Sequence, residues 1–257
     1  IPTAAAPETM RKVYNIASKQ TRTLLTDQEL FSMGDNDQYF SRSPDGKWIL
    51  FDYSVPGVPT GEIGIIASNG KGKAINLTES GFQDFRPKWI LGGKAMVWFS
   101  NRDGLKAVAQ SGGSQVDAYA LFFTQEAFDK YRLSKEDAAL AKEMEEKATK
   151  ADTTKKAASK DVKKDSVVLD FDDLALRKVK LTIHSSNMAD VLVSKDGETL
   201  YYLARFERGF NLWSTNLRTK ETKMLITLNS NGGGSMVWDK EKKNIFLNTD
   251  GRIVKID

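Results

Sequence analysis

The chain has no cysteine and one histidine, His184, among its 257 residues. Without a thiol there is no disulfide bond, no thiol nucleophile and no cysteine-bound zinc, although a cysteine-free protein suits either redox compartment. His184 ends a predicted strand and is followed by Ser185-Ser186. Serine–histidine catalysis also needs a group that orients the imidazole and donors for an oxyanion, so His184 is read as a surface residue. No run approaches the roughly 18 apolar residues of a membrane-crossing helix, and no membrane span is expected. Ile1-Pro2-Thr3-Ala4-Ala5-Ala6-Pro7 lacks the basic start and apolar core of a signal peptide; any such peptide has been removed or lies upstream.

Ion and phosphate motifs are missing too. Asp170-Phe171-Asp172-Asp173 and Gly34-Asp35-Asn36-Asp37 are acidic, but neither has the ligand spacing of an EF-hand loop; both read as turns and caps. Ser111-Gly112-Gly113-Ser114 and Gly232-Gly233-Gly234 lack the Lys-Ser/Thr ending and the strand-to-helix setting of a phosphate loop. Gly57 and Gly61, beside Pro56 and Pro59, read as a turn between strands. No metal, cofactor or catalytic residue is assigned. The net charge is +4, yet much of the basic excess sits in one lysine-rich tract rather than on an aromatic-interleaved face. No nucleic-acid partner is expected.

What is present is a phrase that recurs. It runs Phe40-Ser41-Arg42-Ser43-Pro44-Asp45-Gly46-Lys47-Trp48-Ile49-Leu50-Phe51, then Lys88-Trp89-Ile90-Leu91-Gly92-Gly93-Lys94-Ala95-Met96-Val97-Trp98-Phe99. It returns over Val191–Tyr202, around Ser194-Lys195-Asp196-Gly197, and more faintly over Met236–Leu247. Each copy is an apolar run, a tight turn and a second alternating run, the pattern of a β-hairpin. Gly46 to Gly93 is 47 residues and Gly197 to Lys243 is 46, within the roughly 40–50 residues of a four-stranded propeller blade. Gly93 to Gly197 is 104 residues, which one blade with an excursion explains.

Third strands follow at Glu62–Ala67, Val116–Phe123, Phe210–Thr215 and Arg252–Ile256, and fourth strands at Ala74–Thr78, Lys178–Ile183 and Lys223–Thr227. Val13–Ala17 and Thr21–Thr26 look like the last two strands of another blade. The fold class is therefore all-β: a β-propeller of four-stranded antiparallel blades in an incomplete ring, with a helical and disordered insertion in one blade. The expected division is a partial blade at 12–26, blades at about 38–78, 84–183 and 189–228, and a partial blade at 235–257. Since closed rings have about four to eight blades and open edges invite aggregation, the chain reads as a piece of a longer polypeptide.

The insertion, 124 to about 170, departs from period two. Gln125–Tyr131 reads as a short helix opening near Thr124, and Ser134-Lys135-Glu136-Asp137 has the form of a capping box before a helix over Ala138–Glu146. The tract Lys147–Lys164 has almost no large apolar residue and is expected to be a disordered or fraying linker. Such an insertion serves as a lid or docking arm on one rim, or simply as a solvated excursion tolerated on a loop.

The blades resemble TolB-like propeller repeats, whose Ser-Pro-Asp-Gly-Lys core stands here as Ser43-Pro44-Asp45-Gly46-Lys47. Pro87-Lys88-Trp89, Trp98-Phe99-Ser100-Asn101-Arg102-Asp103-Gly104, Asp117–Phe128 and Leu200-Tyr201-Tyr202-Leu203-Ala204 with Asn211-Leu212-Trp213 look like the propeller region of bacterial tricorn-like serine peptidases. That resemblance implies a non-catalytic segment of a large homo-oligomeric peptidase, guiding peptide substrates or products. Further blades, a PDZ-like domain and a catalytic domain would complete the parent chain. No nucleophile motif can be placed, so no catalytic residue is carried over. The resemblance also tilts the compartment toward the periplasm. Two alternatives stay open: a TolB-like interaction scaffold without a peptidase, and the gating propeller of a prolyl-oligopeptidase-type enzyme. First-strand positions such as Ser41, Lys88 and Val191 are the candidates for lining a central channel.

Overall fold

Alternation of apolar and polar residues makes strands with two different faces, and the computed structural model, which describes residues 11–26, 38–54, 60–107, 113–152 and 166–256, arranges them as five successive sheets. The first pairs β1 (Arg11–Tyr14) with β2 (Thr21–Leu25). The second holds β3 (Phe40–Arg42), β4 (Trp48–Ser54), β5 (Gly61–Ala67) and β6 (Ile75–Asn76). The third holds β7 (Asp84–Ile90), β8 (Ala95–Ser100) and β9 (Asp117–Phe122), followed by helices α1 (Gln125–Arg132) and α2 (Lys135–Asp152) and then β10 (Lys178–Lys180). The fourth is β11 (Asn187–Val193), β12 (Thr199–Arg205), β13 (Phe210–Asn216) and β14 (Thr222–Ser230), and the fifth is β15 (Ser235–Trp238), β16 (Ile245–Thr249) and β17 (Arg252–Ile256). Every sheet is an antiparallel meander in chain order. The protein is a β-propeller.

The core lies in the seams between sheets. In β8 every residue is buried. Met96 and Trp98 face the second sheet, among Leu50, Ile63 and Ile65; Val97 and Phe99 face the fourth, among Val191, Leu200 and Tyr202. Period two thus serves two hydrophobic seams at once, and each fully buried side chain is worth about 1.5–3 kcal/mol. Leu25 with Phe51, and Leu212 with Met236 and Leu247, fill the outer two seams. The first strands converge: β3 contacts β7, and β11 contacts β15.

The recurrent turn is one hydrogen-bonded unit. Ser194 N–H donates to the Thr199 carbonyl at 2.8 Å and Gly197 N–H to the Ser194 carbonyl at 3.0 Å. Ser43 N–H to Trp48 and Gly46 N–H to Ser43 repeat this at 2.8 and 2.9 Å. In the fifth sheet Asp239 N–H donates to Asn244 and Lys242 N–H to Asp239, so Lys242, and not Lys243, stands in the place of the glycine. Its φ of +56° is the left-handed conformation that Gly197 holds at +79°.

Other differences have local causes. β1 stops at Tyr14, short of the expected Ala17, because the Asn15 side chain accepts the N–H groups of Ala17 and Ser18 and turns the chain. Thr124 caps α1 by accepting Ala127 N–H at 3.2 Å, and Ser134 caps α2 through Asp137 N–H at 3.0 Å. α2 then continues past Glu146 to Asp152, a correction to the linker reading that the helix propensity of Lys and Ala explains. The rest of that tract, Gly34–Asp37, Pro56, Gly57, Pro59 and Ser111-Gly112 lie outside the described residues.

Candidate functional site

Where the first strands converge, two of them are bulged. β7 pairs Phe85 with Phe99 and Lys88 with Val97, leaving Arg86 and Pro87 without ladder partners. Proline has no N–H to give a ladder, which makes a bulge its place in a strand. Arg86 takes φ +54° there, a conformation a non-glycine residue holds only under local constraint. β11 has the matching irregularity at Ala189, between Met188 and Asp190.

The bulges turn polar groups toward the neighbouring blades. Arg86 N–H donates to Asp52 Oδ1 on β4 at 2.9 Å, while its Nη1 donates to the Ala189 carbonyl at 2.7 Å. Lys88 Nζ is ion-paired to Asp190 Oδ1 and donates to the Val191 carbonyl at 3.2 Å. Asp190 is buried; its Oδ1 also accepts Val191 N–H at 2.8 Å, and its Oδ2 accepts Met236 N–H from the fifth sheet at 2.6 Å. Burial, then the Asp190 and Asp52 carboxylates, push the Tyr39 hydroxyl pKa up, against the pull of Arg86. One polar chain thus ties β4, β7, β11 and β15 together. Arg86 remains exposed, the cation of the group that solvent and a ligand reach most readily.

Of the three sequence-predicted positions, Lys88 belongs to this cluster. Val191 is a core residue whose carbonyl serves Lys88, and the Ser41 carbonyl accepts the Trp89 indole N–H at 2.9 Å. Arg86, Asp190, Asp52 and Tyr39 were missed. Pro87 inside an apolar run, and an aspartate amid Met188–Val193, were the signals that could have found them.

The other polar positions singled out in the sequence have local partners or stand exposed. His184 is exposed between β10 and β11. Its neighbour Ser185 donates instead to Asp117 Oδ2 at 2.6 Å, and Asp117 is occupied further by Thr182 at 2.7 Å and Lys180 at 3.1 Å. Asp170 pairs with Arg177 and accepts Asp172 N–H, which is turn duty. Among the described residues no group of three His, Cys, Asp or Glu side chains could hold a metal ion.

No protein-family model matches the chain, and no curated protein matches it. Solved structures do. The tricorn protease is similar over 96% of this chain and 23% of its own, at 9% identity and a TM-score of 0.59. Hydrazine synthase of Kuenenia stuttgartiensis is similar over 93% of this chain and 31% of its own, at 11% identity and a TM-score of 0.55. TolB from Acinetobacter baumannii is similar over 95% of this chain and 47% of its own, at 16% identity and a TM-score of 0.46. At these identities the likeness is one of fold.

Proposed function

We propose that this chain is a non-catalytic propeller segment of a tricorn-like serine peptidase, guiding peptide substrates or products and supporting assembly. The observation that carries the reading is Arg86, an exposed residue where the first strands converge, its backbone N–H held by Asp52 and its guanidinium by the Ala189 carbonyl. A guanidinium so placed suits the carboxylate and carbonyl groups of an extended peptide, which it binds with charge-assisted hydrogen bonds. Lys88 is already spent on Asp190 and serves to hold the strands. The tricorn protease, a peptidase by its name, shares the fold, and this chain spans 23% of its length. In this reading the remaining blades, the PDZ-like domain and the catalytic domain belong to the parent chain, which assembles as a homo-oligomer in the periplasm.

The test is a peptidase assay with fluorogenic peptides on the intact parent and on this chain alone. The expected result is activity in the parent, blocked by a serine-directed inhibitor, and none in this chain. Arg86→Ala in the parent should lower kcat/KM for long peptides about tenfold, the low end of a charged hydrogen bond, and leave dipeptides unaffected. An inactive parent overturns the reading in favour of a TolB-like interaction scaffold.

A further inference from the structure

Three of the seams between sheets form grooves on the side of the hairpin tips. Two of these grooves are filled by pieces of the insertion. Between the second and third sheets lies the segment Ser166–Leu174, whose Leu169, Phe171 and Leu174 pack on the seam beside Trp48 and Trp89. The Phe171 ring meets Trp48 edge-on at 6.3 Å. Val167 N–H donates to Asp45 Oδ2 at 2.9 Å and Lys47 Nζ to the Ser166 hydroxyl at 2.9 Å, both at the hairpin tip, and Asp170 N–H donates to the Phe123 carbonyl at 3.0 Å. Between the third and fourth sheets the plug is α1. Phe128 and Tyr131 pack on Phe122 at 5.7 and 4.8 Å, and Arg218 Nη1 holds the Leu133 carbonyl at 2.7 Å.

The corresponding groove between the fourth and fifth sheets is open, a cleft of about 990 Å³. Its floor is apolar and aromatic: Leu225, Ile245, and Tyr201 edge-on to Trp238 at 5.7 Å. Its rim is basic, with Lys195 and Lys242 from the hairpin tips, Lys223 from β14 and Lys142 from α2, against Asp196 and Glu221. Lys195, Lys223 and Lys242 enter no ion pair among the described residues. Lys242 also occupies the left-handed turn position that the second and fourth sheets give to glycine. That choice costs about 1 kcal/mol of backbone strain and puts a cation on the rim.

We infer that this cleft binds an extended peptide in which acidic residues alternate with apolar and aromatic ones. Val168-Leu169-Asp170-Phe171-Asp172-Asp173 presents that same pattern to the seam two sheets away. The apolar and aromatic side chains meet the floor and the carboxylates meet the lysine rim. A dense polyanion such as a sulfated glycan would leave the floor uncovered and face Asp196 and Glu221. The site is separate from the Arg86 cluster and does not depend on the peptidase reading.

The probe is a fluorescein-labelled peptide Ser-Val-Val-Leu-Asp-Phe-Asp-Asp-Leu, titrated into the whole chain by anisotropy at low and high salt. Binding is expected to weaken with salt and to fall at least tenfold when the three aspartates of the peptide are replaced by asparagine. Lys195→Glu with Lys223→Glu should weaken it at least tenfold with an unchanged circular dichroism spectrum. These lysines line this cleft and make no contact named for Ser166–Leu174, so their effect locates the peptide in the cleft rather than in exchange with that segment. Equal binding of the asparagine peptide, indifference to the lysine changes, or preferential binding of a sulfated oligosaccharide would overturn the inference.

Discussion

Trp89 and Trp238 occupy the same place in two different blades, and each donates its indole N–H to a first strand of the blade before it. Trp89 bonds the Ser41 carbonyl at 2.9 Å and Trp238 the Val193 carbonyl at 3.2 Å. The tryptophan of the hairpin phrase is thus a clasp between blades as well as apolar filling. Trp→Phe at either position should cost about 1 kcal/mol, the net worth of one hydrogen bond, and Trp→Ala about 3 kcal/mol. Urea unfolding midpoints check both, and a neutral Trp→Phe would mean that only ring packing matters.

The Lys88–Asp190 pair has unequal partners. Asp190 is buried and serves Lys88, Val191 and Met236 together, whereas Lys88 reaches partial solvent. Asp190→Ala should cost about 3 kcal/mol because it strands a cation and two backbone N–H groups. Lys88→Met should cost clearly less. Denaturant titration of the two variants decides the order.

Asp84 gives a pH signature. It is buried at the start of β7, and neither carboxyl oxygen completes a hydrogen bond among the described residues. Burial pushes its pKa up; the nearby Ser100, Ser80 and Thr78 hydroxyls offset this only in part, and the Glu62 carboxylate adds to the rise. The folded value therefore lies above the unfolded one, near 3.9. Its contribution is fully present below about pH 4 and is lost as pH rises through the folded value. Asp84→Asn should lose ground to the wild type in acid and gain about 1 kcal/mol on it at pH 7. Carboxylates held low, such as Asp45 and Asp103, are common to both proteins and cancel in the comparison. Paired urea titrations across pH 4–7 test this, and a difference that stays flat would remove Asp84 from the pH response.

Lys242→Gly should stabilise the protein by about 1 kcal/mol, since the turn it occupies requires a left-handed residue. A lower unfolding midpoint in this variant would show that the lysine side chain, rather than its backbone, sets the local balance.

The hairpins were legible because their turn chemistry is local: Ser194, Asp196 and Gly197 bond one another within a few residues. Strand alternation then fixed the fold class. The Arg86–Asp190 cluster was not legible. Its ties between blades join residues 34 to 103 positions apart, and bulges that depend on a partner strand set its geometry. Lys88 is legible as a first-strand position, yet nothing in its own stretch names Asp190 as its partner. The helix past Glu146 is hidden from a reading by hydrophobicity, because lysine and alanine favour helix without any core.

The insertion leaves the third sheet with its final strand far away along the chain. Arg177, beside β10, reaches the Phe122 carbonyl at the end of β9 across 55 positions, whereas Thr215 and Thr222 on β13 and β14 are seven apart. Closing the longer loop costs about 2 kcal/mol more chain entropy. The fourth sheet can therefore zip up as a local unit while the middle blade waits for its last strand. In a protein whose blades share their seams, the blade at the centre is thus the one whose last strand is joined at the larger entropy cost.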